Sequence, residues 1–142
     1  MKPIDIAKAL GVAVASLALN LALVTCAIFA YAKLVAPGHP DSFYDDAAPR
    51  IATWWAPAGG ALMLFAFMAW LGRRRPERNA YAFAGLCWAL YAAVDVGSGW
   101  AIGGITALLS LQVAISMLTA LVGALAGAAL AQAGSARQGT PA

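Results

Sequence analysis

Residues 80–132 read AYAFAGLCWALYAAVDVGSGWAIGGITALLSLQVAISMLTALVGALAGAALAQ, and this stretch decides the fold. Asp95 is its one charged side chain. A helix needs about 20 apolar residues to cross the hydrocarbon of a bilayer. The stretch is too long for one crossing and suits two. Its natural break is Asp95-Val96-Gly97-Ser98-Gly99-Trp100-Ala101-Ile102-Gly103-Gly104. Glycines clustered with Ser and Asp predict a turn there.

Working outward, two more long apolar runs, Ala9–Ala32 and Ile51–Gly72, carry no charge. Each suffices for one crossing. The whole chain is 63% apolar and 11% charged. A soluble domain carries about 25% charged residues. No segment alternates polar and apolar residues as a membrane barrel strand would. The sequence therefore predicts an all-α integral membrane protein, one domain built as a four-transmembrane-helix bundle. The spans are expected at about 9–33, 50–72, 79–96 and 105–132, as two helical hairpins.

The basic residues have a topological meaning, and the net charge of +3 does not imply nucleic acid. Arg73, Arg74, Arg75 and Arg78 lie between the second and third spans, and Lys2 and Lys8 lie at the start of the first. The link between spans one and two holds Asp41, Asp45 and Asp46, with Lys33 and Arg50 at its edges. The third link has no Lys or Arg. Positive charge favours the cytoplasmic side, so both termini and the arginine loop are expected there. The expected location is a bacterial inner membrane. The four arginines are expected to contact anionic lipid headgroups, at about 1 kcal/mol each.

The first span resembles a signal peptide in its Lys2 and Lys8 and its Ala30-Tyr31-Ala32, but its apolar run exceeds the usual 7–15 residues. The chain begins at Met1, and a retained helix is the expectation. Asn20 lies near the middle of this span and is read as a hydrogen-bonding link to another helix. Cys26 and Cys87 fall at depths of about 26 and 12 Å by helical rise, too far apart for a disulfide.

In the loop after it, Asp45 or Asp46 is expected to cap the second helix, with Pro49 in its first turn. Phe43 and Tyr44 can fold onto the membrane surface. Pro57, inside the second span, removes a hydrogen bond and crowds the carbonyl of Thr53, so a kink is expected at the outer quarter. In the third span, Leu86, Leu90 and Ala93 form an apolar stripe. In the fourth, Gln112, Ser116, Thr119, Gly123 and Gly127 recur at helical spacing on one face. Small residues let backbones approach, and Gln, Ser and Thr bond across helices. This is the expected helix-packing face, within the chain or between chains.

The chemistry-bearing residues are few. The one histidine, His39, lies in a loop, so haem ligation and a serine-protease set are not indicated. A metal held by His39, Asp41, Asp45 and Asp46 is weighed, and solvation and capping are preferred. No cofactor and no metal site are expected, and no catalytic set is found. The acidic first-span residue of small multidrug exporters and the cysteine pairs of quinone-linked oxidases are both missing.

Asp95 falls about 24 Å beyond Asn79 along a helix, near the outer membrane boundary. A pair with Arg50, or amide bonds from Val96–Gly99, would satisfy it. The leading expectation is a non-catalytic accessory or interaction subunit working by helix packing, as a homo-oligomer or in a larger membrane complex. The alternative is a small oligomeric transporter or channel. Its outward-facing ion or substrate site would comprise Asp95, Arg50, Thr53 and the Pro57 kink.

Overall fold

The computed structural model describes residues 3–74, 79–108 and 110–138; for residues 3, 102–108 and 135–138 it describes the backbone alone. Four helices account for nearly all of the described residues. They are α1 (Pro3–Ala30), continued by a π-helical turn at Tyr31–Val35, α2 (Asp41–Arg74), α3 (Ala80–Leu108) and α4 (Leu111–Gln138). All four are long and apolar enough to cross a membrane. Their outward faces carry large apolar side chains such as Leu21, Phe29, Leu62, Leu118 and Val122. So much exposed apolar surface suits contact with lipid.

Each start has a local cause. Pro3 suits a first helical position, and Asp5 places an acid against the exposed amides of the first turn. Asn79 Oδ1 accepts the Ala82 amide at 3.0 Å and caps α3. Ser110 Oγ accepts the Val113 amide at 3.3 Å and caps α4. Between α1 and α2 the chain reverses at Gly38, whose φ of 82° is one that glycine adopts without strain. Tyr44 ties this loop together. Its hydroxyl donates to the Ala36 carbonyl at 2.7 Å and accepts the His39 amide at 3.2 Å. His39 stacks on Phe43 at 4.2 Å between ring centroids.

Three sequence expectations are corrected. First, α2 begins at Asp41, so neither Asp45 nor Asp46 is its N-cap and Pro49 lies inside the helix. Asp45, whose carbonyl Pro49 leaves without its usual donor, is exposed, so water can satisfy that oxygen. Second, α2 begins well before the expected span start at 50, so Pro57 stands near the middle of the whole helix. Third, the glycine-rich run after Asp95 is not a turn. The backbone stays helical to Leu108, and α4 starts at Leu111 rather than near 105. Glycine costs a helix about 1 kcal/mol per residue in water. For a segment in hydrocarbon an unpaired amide would cost several kcal/mol, which favours the helix over the turn.

Contacts fix the directions. Moving along α2 and α4 together, Thr53 meets Gln112, Pro57 meets Thr119, Ala61 meets Gly123 and Phe65 meets Gly127. The two helices are therefore parallel, and their seam is the most extensive in the bundle. Asn20 of α1 meets Tyr91 of α3, and nearer the chain's start Val12 shares a groove with Phe83, so α1 and α3 also run together. Lys8 lies near Arg74, and Asn20 meets Ala56, so α1 and α2 are antiparallel. Trp88 Nε1 donates to the Met117 carbonyl at 2.9 Å and ties α3 to α4.

The core between them is made mainly of small side chains. Ala9 and Ala13 of α1, Ala84 of α3, and Ala120, Ala124 and Ala128 of α4 are buried beside Leu64, Met68, Phe83, Cys87 and Tyr91. The buried stripe of α3 is Phe83, Ala84, Cys87 and Tyr91. Leu86 and Leu90 are only half-buried and Ala93 is exposed, which corrects the stripe read from the sequence. Cys26 and Cys87 are not joined by a disulfide.

Candidate functional site

Polar side chains gather where the centre of α2 meets α1 and α3. Pro57 has no amide hydrogen to give to the Thr53 carbonyl. Gln112 Nε2 of α4 donates to that carbonyl instead. Thr53 Oγ1 donates to the Pro49 carbonyl at 2.8 Å, one turn back. Thr119 Oγ1 has three carbonyls within reach of its single hydrogen, those of Ile115 at 2.9 Å and Ser116 at 3.0 Å on its own helix and that of Pro57 at 3.5 Å across the seam. Ser116 contributes only its backbone there. The proline turn is thus held from α4.

On the other side, Asn20 holds it from α1. Asn20 Nδ2 donates to the Ala56 carbonyl at 3.1 Å and to the Tyr91 hydroxyl at 3.5 Å. Asn20 Oδ1 fills the space that a Cβ on Gly59 would need. The Tyr91 hydroxyl stands 2.7 Å from the position of a Cβ on Gly60. Two glycines after the proline therefore let two polar side chains press against the α2 backbone. Gly59, Gly60 and Pro57 are all buried.

Ser16 lies one turn from Asn20 on the same face of α1. Ser16 Oγ and Asn20 Oδ1 are both buried and have no hydrogen-bond partner among the described residues. An unpaired buried polar atom costs about 1–3 kcal/mol, and such positions are where internal water or a ligand is held.

Asp95 lies one turn from Tyr91 on the same side of α3. Helix α3 continues well past it, so Asp95 stands near the middle of its helix, not at a terminus. It is half-buried. Among the described residues its carboxylate meets no cation and no hydrogen-bond donor. The expected pair with Arg50 is not formed. Arg50 is exposed and lies in a groove with Tyr31, Phe43, Asp46 and Trp54. The amides of Val96–Gly99 belong to the helix, so they do not bend back to Asp95 either. Ser98 Oγ donates to the Asp95 backbone carbonyl at 2.8 Å, leaving the carboxylate out of that bond.

The residues expected together thus fall in three places, with Arg50 in its own groove. Thr53 and Pro57 join Gln112 and Thr119 at the α2–α4 seam. Asn20 meets Tyr91 between α1 and α3, with Ser16 one turn before Asn20 on α1 and Asp95 one turn after Tyr91 on α3. Sequence reading passed over Tyr91 and Ser16 as members of this group. Ser16 falls one turn before Asn20, a spacing visible in the sequence, whereas only the structure shows that Tyr91 continues the buried Phe83–Cys87 face. Gly123 and Gly127 lie against the α2 backbone at Ala61 and Phe65, where a Cβ on either would overlap a carbonyl oxygen. Arg74 stacks on Trp70 at 4.2 Å, and Arg73 lies near Gly134. Arg75 and Arg78 fall outside the described residues. No three His, Cys, Asp or Glu side chains converge among the described residues.

Comparison with known protein families, with curated proteins and with solved structures gave no match.

Proposed function

We propose that this chain is a small polytopic membrane protein that binds and passes protons or small cations at Asp95. One observation carries the reading: a half-buried carboxylate halfway along a membrane-length helix, one turn from the buried Tyr91, without a partner among the described residues. An ionisable side chain at such a place is functional by default. The line Ser16, Asn20, Tyr91, Asp95 supplies polar atoms from the middle of α1 to the middle of α3. The proline turn beside it is the wall, its Thr53 and Ala56 carbonyls held by Gln112 and Asn20 from the two neighbouring helices. Both termini face the cytoplasm of a bacterial inner membrane, and the site opens outward, by the distribution of Lys and Arg.

The test is ion flux in sealed vesicles of phosphatidylethanolamine and phosphatidylglycerol containing the purified chain. The wild-type chain should dissipate an imposed proton, Na⁺ or K⁺ gradient faster than empty vesicles. Asp95→Asn should return the rate to that of empty vesicles, and Asp95→Glu should keep part of it. Equal rates for wild type and Asp95→Asn would remove the proposal.

A second reading, an accessory subunit in an oligomer or larger membrane complex, has its own observation. A groove of about 530 Å³ runs outside the α2–α4 seam, lined by Ala61, Phe65, Leu118, Val122 and Ala126. A partner helix would sit there. Val122→Trp would then abolish association while leaving ion flux unchanged.

A further inference from the structure

At the end of the bundle where α1 begins and α2 ends, a groove of about 430 Å³ opens between α1, α2 and α3. Its walls are apolar, with Val12, Phe67 and Trp70 among them, and its charged members are Lys8 and Arg74. Among the described residues no acidic side chain lines it. The guanidinium of Arg74 lies flat over Trp70 at 4.2 Å, which positions the charge beside the apolar wall. Gly11 also lines the groove, and a Cβ there would meet nothing within 4 Å. The missing side chain therefore keeps the groove open rather than serving close helix packing.

We propose that this groove binds one anionic phospholipid of the bilayer, its headgroup between Lys8 and Arg74 and an acyl chain along Val12 and Phe67. Scattered arginines attract any anionic headgroup, each by its charge alone. A groove with two cations at a helix-terminal end and apolar walls does more, because it selects a molecule with both parts. A free phosphate would leave the apolar wall uncovered. A neutral lipid would leave both cations without a counter-charge. The site lies away from Asp95 and does not depend on ion passage.

The test titrates the full chain in mild detergent with phosphatidylglycerol, phosphatidylcholine or inorganic phosphate, read by native mass spectrometry. One phosphatidylglycerol should bind with a preference of roughly tenfold or more over phosphatidylcholine, from two headgroup cations. Inorganic phosphate should not displace it. Lys8→Gln with Arg74→Gln should remove the preference. Gly11→Leu should lower phosphatidylglycerol binding with both cations intact, because its side chain fills the groove. Gly85→Leu is the matched control: its position is equally open and lies outside the groove, so binding should be unchanged. Melting curves confirm that each variant is folded, and the charge pair and Gly11→Leu report independently. Equal binding of the two lipids, displacement by phosphate, or undiminished binding by folded Gly11→Leu would overturn the proposal.

Discussion

Asn20 spends both ends of its amide on α2. Its nitrogen bonds the Ala56 carbonyl, and its oxygen occupies the room left by Gly59. Gly59→Ala must therefore push Asn20 aside, at a cost of about 1–3 kcal/mol, the range for overpacking a tight core. Asn20→Ala alone should cost about 0.6–2 kcal/mol, the range for one interhelical polar contact in a membrane. The two changes share one space, so their costs should not add. Unfolding in mixed micelles across the double-mutant cycle reads the coupling. Additive costs would mean that Asn20 does not stand against Gly59. Asn20 was legible as a polar side chain in an apolar span, and a bond to another helix was the natural reading. Its partners were not legible, because Tyr91 is 71 residues away and nothing local marks which of several aromatic residues faces inward.

At the scale of the helix, Pro57 and Gln112 form one unit. The proline leaves Thr53 without its helical donor, and a glutamine from α4 takes that place. Gln112→Ala should cost about 1–3 kcal/mol by orphaning the carbonyl. In a Pro57→Ala background the cost should fall, since the substituted alanine brings its own amide to the Thr53 carbonyl. Measured stabilities that show the same loss in both backgrounds would contradict this account. The spacing of Gln112, Thr119, Gly123 and Gly127 was visible in the sequence, and the proline was visible too. What the sequence lacked was the pairing of the two helices. The misread turn after Asp95 has a different cause. Glycine-rich runs break helices in water, where a freed amide finds a solvent partner. Hydrocarbon would offer none, which agrees with a helix that continues to Leu108. Gly123→Leu and Gly127→Leu belong to this scale as well. Each places a side chain into an α2 carbonyl, so each should cost about 1–3 kcal/mol or more and lower the melting temperature. Changed oligomer size with unchanged melting would instead put that face between chains.

For the whole molecule, two parallel helix pairs run in opposite directions, and among the described side chains Lys8, Arg73 and Arg74 lie at one end with Lys33 and Arg50 toward the other. If the positive-inside bias orients the bundle, a Ser42→Cys label in a cysteine-free chain should react only from the periplasmic side of intact cells. Replacing Arg73, Arg74, Arg75 and Arg78 with Gln should produce a mixed population. A single orientation that survives the loss of all four arginines would show that they do not set it. The composition made the four membrane-length helices legible, because nearly all the charge sits between apolar runs. The place of Asp95 was not legible, since it depended on where α3 ends. Once α3 runs on to Leu108, Asp95 becomes a mid-helix carboxylate, one turn from the Tyr91–Asn20 contact.

That placement is the centre of the account, and water access to it is its most direct test. Asp95→Cys, in a chain with Cys26→Ser and Cys87→Ser, is reconstituted in vesicles and exposed to a membrane-impermeant, water-soluble thiol reagent on each side. The account predicts labelling from one side, while Leu118→Cys on the exposed apolar face of α4 stays unlabelled. No labelling of Asp95→Cys from either side, at a reactivity matching Leu118→Cys, would contradict it.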